Sequence, residues 1–517
     1  MFKKLQECKN LKEIFAMMGT KPFEITAFVL VILWSLLPIY YTIERVYWTL
    51  VATNDYQHQY AIMEGHMYAM RVLGMVSLYV AVFYLLSRLC VYGKKTGKKI
   101  LSEPWHYLLL IMLAWGGIST LLARDLKVAW IGDGYLGEGY RAYLYYAGVY
   151  VCAFIITKSK LKWIAFNIFN VVANIVSLTI IVVEYTEIIF LKQVFPGQLS
   201  GVFFHFNHAG YYINMGIVCA MGLYLHAKKN GRIWYAFSIA LQVFGILVNS
   251  TLGAFIGTCG ALVMILVFFV RKYSKWSWHM LTPVVIVIAL VIASYFGYIP
   301  NSKGEDMRAN FQLLSYNHQV VTEESDMANL AHGRGNYWIQ TLRMIPGSPI
   351  FGYGPDHLDE VYSQLMAINR PDNEFLQHAV FMGVPALLFY LAALILLFIH
   401  QMKNMKQLDR TILVAAGCMI AYLISAQFGV SAFYTTPYLY MFWGMAAGRS
   451  PEAQEAIDAG LAEIRTEVDA TLEQRLLEPK KDKKRKKKAT NENNLTENNV
   501  EENATEENTT EENNVEA

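Results

Sequence analysis

The chain has 517 residues, of which 55% are hydrophobic, 14% aromatic and 16% charged, with a formal net charge of +3. That composition excludes a water-soluble globular protein and belongs to a multi-span membrane protein. Many of the charges collect in the C-terminal tail, which leaves the rest more apolar still.

A window of roughly 20 apolar residues crosses a bilayer as a helix, and the sequence offers about twelve. In chain order they lie near Ile25 to Tyr47, Tyr68 to Tyr92, Trp105 to Leu122, Ala142 to Thr157, Trp163 to Val183, Ala209 to His226, Ile233 to Val248, Leu252 to Val270, Trp278 to Ile299, Phe375 to His400, Ile412 to Phe428 and Tyr434 to Gly448. The first contains Pro38 and lacks a small-residue cleavage site, so it reads as a retained span rather than a signal peptide.

Short loops rich in Lys and Arg stay on the cytoplasmic side. Lys3, Lys4, Lys9, Lys12 and Lys21 place the N-terminus inside, and every second loop repeats the pattern, at Lys94 to Lys99, Lys158 to Lys162, Lys228 to Arg232, Arg271 to Lys275 and Lys403 to Arg410. The tail is basic too, which predicts an even number of spans with both termini cytoplasmic. In this topology the cysteines (Cys8, Cys90, Cys152, Cys219, Cys259 and Cys418) lie in spans or on the inner side, which argues against an outer disulfide or a Cys-based metal site.

The predicted organisation is a cytoplasmic N-terminus (1–24), a membrane domain (25–449), an amphipathic helix (450–478) and a disordered tail (479–517). Ile457, Leu461, Ile464, Val468, Leu472 and Leu476 form one apolar stripe on a charged helix, suited to a helix contact, a membrane surface or docking on its own protein. The run Lys480 to Lys488 is a solvated charge run beside anionic lipid, at about 1 kcal/mol per basic residue, and this is preferred over nucleic-acid binding. The Asn- and Glu-rich end lacks aromatics and reads as disordered.

The outer side carries the longer loops, including about 75 residues from Pro300 to Glu374, and long loops in compact proteins carry function or disorder. This one predicts two amphipathic helices, around Trp338, Leu342 and Ile345 and around Leu358, Val361, Tyr362 and Leu365, joined by the Gly- and Pro-rich turn "PGSPIFGYGPDH", Pro346 to His357. "DHLDE", Asp356 to Glu360, reads as the exposed start of a helix. His58, Glu64 and His66 have loose metal-like spacing but read as plain loop.

Polar residues cluster at membrane depth on that side: Arg141, then His205, Asn207 and His208, then Arg334 and Arg343, then Asp372 and Asn373. Ionisable groups there face cavities and mark function. Guanidinium forks bind phosphate oxygens, and a carboxylate takes a proton from an attacking hydroxyl. Each has a plainer role as well: Asp372 as a helix N-cap, Arg141 snorkelling from a span end, Arg334 and Arg343 at lipid head groups, and His205 and His208 as structural residues.

These residues carry a resemblance. Nine residues separate Asn373 from Gly383 in "DNEFLQHAVFMGVPALLFYL", which resembles the His-Asn pair and following Gly of the O-antigen ligase and Wzy-type polysaccharide polymerase superfamily. "GRGNYWIQTLRMIPGSPIFGYGP", Gly333 to Pro355, and "FNHAGYYI" resemble the family's Arg- and Trp-bearing helix with its Gly-X-Gly turn and its Asn-bearing entry to a middle span. Arg141 matches an outer-loop Arg, and the likeness runs from about Trp115 to Gly448. Two departures stand out: Asp372 replaces the family His, and the middle-span Ser-Arg-Gly appears as Ser250, Thr251, Leu252 and Gly253 without its Arg.

The resemblance implies an all-α, GT-C-like integral membrane glycosyltransferase with a large extracytoplasmic loop, acting on the outer face of the cell membrane on glycans linked to undecaprenyl diphosphate. By the same implication Asp372, Asn373 and His357 are catalytic, with His378 as another source of imidazole, and burial would raise the Asp372 pKa. Arg141, Arg334 and Arg343 would hold the diphosphate, and Asn207, His208 and Trp338 the substrate. No cofactor or metal is called for. The partners are the glycan donor, a glycan acceptor and membrane lipids, with envelope assembly partners at the tail and no nucleic acid. Polymerase is favoured over ligase because the His is missing. A transporter or flippase, which would show internal repeats, and a non-catalytic envelope assembly protein stay open.

Overall fold

The computed structural model describes residues 2–51, 56–100, 103–133, 137–190, 203, 205–273, 278–299, 334–358, 370–449 and 451–477. Regular structure among them is helical throughout. Eight helices are long and apolar enough to cross a membrane: α3 (Lys21–Val51), α4 (Tyr56–Ile100), α5 (Pro104–Leu122), α8 (Ser159–Phe190), α10 (Lys229–Asn249), α11 (Leu252–Tyr273), α15 (Val384–Asn404) and α16 (Arg410–Ser425). Shorter or more polar helices complete the array: α1 (Phe2–Gln6), α2 (Leu11–Met18), α6 (Leu126–Ile131), α7 (Tyr140–Ile155), α9 (Phe206–His226), α12 (Thr282–Tyr295), α13 (Arg334–Met344), α14 (Glu374–Met382), α17 (Thr436–Ala446) and α18 (Pro451–Leu477).

All twelve predicted windows are thus helical, but four do not have the length and composition of a lone span: α7, α12 and α17 are short, and α9 is long enough but polar, for which the reason is packing. Helix α9 is buried from Asn207 to Leu225 and touches α8, α10, α11 and α16. A helix enclosed by protein need not be apolar all round. Its Gly216 admits the neighbours closely, since a Cβ there would lie 2.6 Å from that of Ala173. Asn214 uses the same enclosure, donating to the Ala421 carbonyl at 2.8 Å and the Ser425 hydroxyl at 2.7 Å and accepting from Thr258 at 2.9 Å. Every polar group at membrane depth needs such a partner.

Three readings need correction. Helix α4 starts at Tyr56, so Glu64 and His66 lie on a helix rather than in a loop, and His66 faces Glu44 at 3.2 Å. The tenth window is two helices, α14 and α15, broken at Gly383, whose φ is 87°. "DHLDE" does not begin exposed: Asp356, His357 and Leu358 are all buried. The second predicted loop helix, past Leu358, and the tail from residue 478 lie outside the described residues.

The chain forms two compact units, one of Met1–Gly19 with the chain from Asp458, the other of Thr20–Ile457. In the first, Arg475 grips Glu13 with two nitrogens, at 2.8 and 3.0 Å, and Lys4 meets Asp469 at 2.6 Å and Glu473 at 2.8 Å. The Arg475 guanidinium holds the Glu13 carboxyl down at about 2. Leu472 of the predicted apolar stripe is fully buried.

Candidate active site at a broken helix

The break at Gly383 is held open by the loop that the sequence marks with glycine and proline. A helix interruption frees backbone groups, which must find partners away from water. Tyr353 and Gly354 donate their amides to the Val380 and Phe381 carbonyls, each at 2.9 Å, and Val384 donates to Pro349 at 2.9 Å. Ser119 adds a bond to Phe381 at 3.0 Å, and the Trp115 indole donates to the Ile350 carbonyl at 2.9 Å. Two backbones pass too closely here for side chains. A Cβ on Gly352 would lie 2.5 Å from the Phe381 carbonyl carbon, and Gly352 and Gly383 both have positive φ, which glycine adopts without strain.

At the other end of α14, Asn373 is the N-cap. Its side-chain oxygen accepts the amides of Phe375 at 3.0 Å and Leu376 at 3.1 Å, and its nitrogen donates to Gln427 at 3.2 Å. The capping role considered for Asp372 therefore belongs to its neighbour, and Asn373 has its amide group occupied. Asp372 is left with a half-exposed carboxylate and a left-handed backbone, φ 48°, which Asp tolerates better than most residues. Arg334, the first residue of α13, reaches it at 3.3 Å. Trp338, one turn on, donates to the Asp372 carbonyl at 3.4 Å. Burial raises the Asp372 pKa, and the positive charges of Arg334 and Arg370 oppose that rise. Tyr211 of α9 is electrostatically coupled to both Arg334 and Asp372.

Sixteen residues before Asp372, a second acid-base pair has opposite character. Asp356 is buried against Arg370, and its other oxygen accepts the Asp133 and Glu138 amides, each at 2.9 Å. Burial pushes its pKa up to about 6 against the pull of Arg370. Glu138 beside it is fully buried, takes the Tyr146 hydroxyl on one oxygen and faces Ser431 at 3.4 Å with the other. Its pKa is pushed up to about 8, chiefly by burial. Arg370 Nε and Nη1 and His208 Nδ1 are buried without hydrogen-bond partners among the described residues, and the two side chains are electrostatically coupled.

The structure brings Asp372, Arg334 and Trp338 together and places His208 near Arg370. The other candidates have neighbours of their own. At about 100° per residue, Arg343 projects from the opposite face of α13 to Arg334 and is exposed. Arg141 lies in the first turn of α7, coupled to Arg71 of α4, with Nη2 buried and unpartnered among the described residues. The His357 ring accepts the Asp125 amide at 3.1 Å, beside the cap of α6. Asn207 is buried in the first turn of α9, where His205 is the cap. His378 packs on Tyr390, with ring centres 4.5 Å apart, and sits 3.7 Å from Glu374. Sequence reasoning missed Glu138, Asp356 and Arg370. The available signal was an acid inside the Gly- and Pro-rich turn and a base further along the chain, but nothing local says that they meet.

No curated protein matches the chain. Asp372, Asn373, Arg334, Arg343, Trp338 and His357 all fall within the segment that a known family recognises, whereas Arg141, Asn207 and His208 precede it. Together with the apolar helices, that match supports a multi-pass membrane enzyme that handles glycans. The resemblance read from the sequence is borne out on this stretch: residues 236–391 match the family model described as O-antigen ligase.

Proposed function

We propose that the protein is a metal-independent membrane glycosyltransferase that joins polyprenyl-diphosphate-linked oligosaccharides on the outer face of the membrane, extending one lipid-linked repeat unit with another. The observation that carries this reading is the Asp372 carboxylate, half-exposed and paired with Arg334, at the head of a half-helix inside the family-matched segment. Asp372 accepts the proton of the acceptor hydroxyl as its oxygen attacks the anomeric carbon of the donor. The bond from that carbon to the diphosphate oxygen breaks, and the electron pair leaves with the polyprenyl diphosphate. Arg334 and Arg141 hold the departing charge, with the α14 N-terminus favouring negative charge nearby. Trp338, Asn207 and His208 line the sugar path. Asn373 and His357 act by positioning, through the cap of α14 and the Asp125 turn. Asp372 in place of the family His supports polymerisation over ligation.

The test is reconstitution in liposomes with a polyprenyl-diphosphate oligosaccharide pool from the host, with products read by gel and mass spectrometry. A ladder of repeat units that collapses in Asp372→Ala supports the reading. Single transfer to another acceptor means a ligase, and glycan crossing the bilayer unchanged sinks the enzyme reading.

A further inference from the structure

A second polar pocket lies at the opposite end of the same helices. Glu138, just before α7, and Ser431, shortly before α17, face each other at the candidate-site end, whereas Phe154, Asp409, Gly448 and Arg449 lie at the far ends of α7, α16 and α17, where they line a cavity of about 280 Å³. Helix α7 alone sets the two apart by about 24 Å at 1.5 Å per residue.

The lining of this cavity is not that of a lipid-facing cleft. Lys158, Lys162 and Arg449 contribute to the wall together with the carboxylates of Asp409 and Glu455. Lys162 is only 4% exposed. An ammonium has three donors, and Lys162 spends one on the Met445 carbonyl at a long 3.4 Å. Space for that ammonium depends on a glycine: a Cβ on Gly448 would lie 2.9 Å from Lys162 Nζ. Arg449 lies 4.9 Å over the Phe154 ring, which fixes its plane. Helix α8, 32 residues long, begins at Ser159 in the same wall and directs its positive end there.

The acids in the wall are engaged or peripheral. Asp409 caps α16 through the Thr411 amide at 2.8 Å and hydroxyl, and its charge lies within electrostatic reach of Lys162. Glu455 is exposed at the rim, and Lys158 is held by Glu24 at 3.1 Å. We propose that this cavity binds a phosphate group, with Lys162 and Arg449 as its charged ligands, at the end of the bundle away from the candidate active site. The phosphate is either the headgroup of a membrane phospholipid or part of a free phosphorylated molecule. In both cases it ties together the ends of α7, α8, α16 and α17.

Full-length protein in phosphatidylcholine nanodiscs, with phosphatidylglycerol added stepwise or inorganic pyrophosphate titrated, gives both arms of the test. Thermal unfolding and native mass spectrometry of retained lipid are the readouts. A ligand that binds only the folded state raises its apparent stability. Lys162→Gln and Arg449→Gln should each weaken the response about tenfold or more, the scale of a lost charged hydrogen bond, and Lys162→Arg, which keeps the charge, should lose less. A response to pyrophosphate identifies a soluble phosphate; retention of phosphatidylglycerol without it identifies a lipid headgroup. Arg449→Gln, at a half-exposed position, keeps the test usable if Lys162→Gln misfolds. If neither probe acts on the wild type, or both act equally on wild type and variants, the proposal is overturned.

Discussion

Asp356 with Arg370 and Asp372 with Arg334 are two aspartate–arginine pairs on one stretch of chain, both with the aspartate in a left-handed backbone conformation, yet they are built for different work. The first is sealed: its side chains are 3% and 5% exposed, and two backbone amides saturate the carboxylate. The second is 31% and 18% exposed, and the carboxylate meets the guanidinium at 3.3 Å. A buried pair with its lone pairs satisfied costs several kcal/mol to break from one side, so it clamps the turn that fills the helix break. A half-exposed carboxylate keeps lone pairs open, as the proposed proton acceptor requires.

The largest effect should come from the working pair. Asp372→Asn keeps the backbone tolerance but not the base, and is expected to lose about 100- to 10,000-fold in turnover with an unchanged unfolding temperature. A fall in both together would make Asp372 a second clamp. Next, Asp356→Ala should destabilise the membrane domain by about 3–5 kcal/mol, seen as a lower unfolding temperature in detergent. Unfolding at the wild-type temperature would remove the distinction between the pairs.

The pH profile sharpens the comparison further. The Arg334 charge lowers the Asp372 pKa against the rise that burial causes. Arg334→Gln should therefore move the acid limb of kcat/KM to higher pH. An unmoved limb would exclude Asp372 as the titrating base. Glu138 offers a stability test of the sealed pair, because its pKa rises from 4.5 to about 8. A carboxyl raised in the folded state contributes stability that is fully present below 4.5 and is lost as pH rises through about 8. Glu138→Gln, which stays neutral, should flatten that decline. The smallest effect belongs to Arg343→Ala: an exposed side chain on the far face of α13 should change stability by no more than about 0.5 kcal/mol and leave turnover unaltered. A loss as large as that of Arg334→Ala would restore Arg343 to the diphosphate set.

Much of this was legible from the chain because it is local. Apolar windows give helices, and Asn373, with its nine-residue interval to Gly383, marks the start and end of one helix, as the cap and the positive φ of Gly383 show. The turn from Pro346 was readable as a turn, although its fit into the helix break was not. The two loop arginines looked equivalent until the phase of α13 set them on opposite faces. The polar α9 looked like another lipid-crossing span, because a sequence does not say which helix its neighbours enclose.

By itself, then, the sequence determined the membrane class, the helices, the caps and the stretch that carries the family's pattern, since each depends on residues a few positions apart. Only the tertiary structure decided which acid meets which base. Asp356 meets the Glu138 amide across 218 positions of chain and Asp372 meets Arg334 across 38. Such pairings are fixed by the packing of remote helices and by where water is excluded, which no local interval encodes.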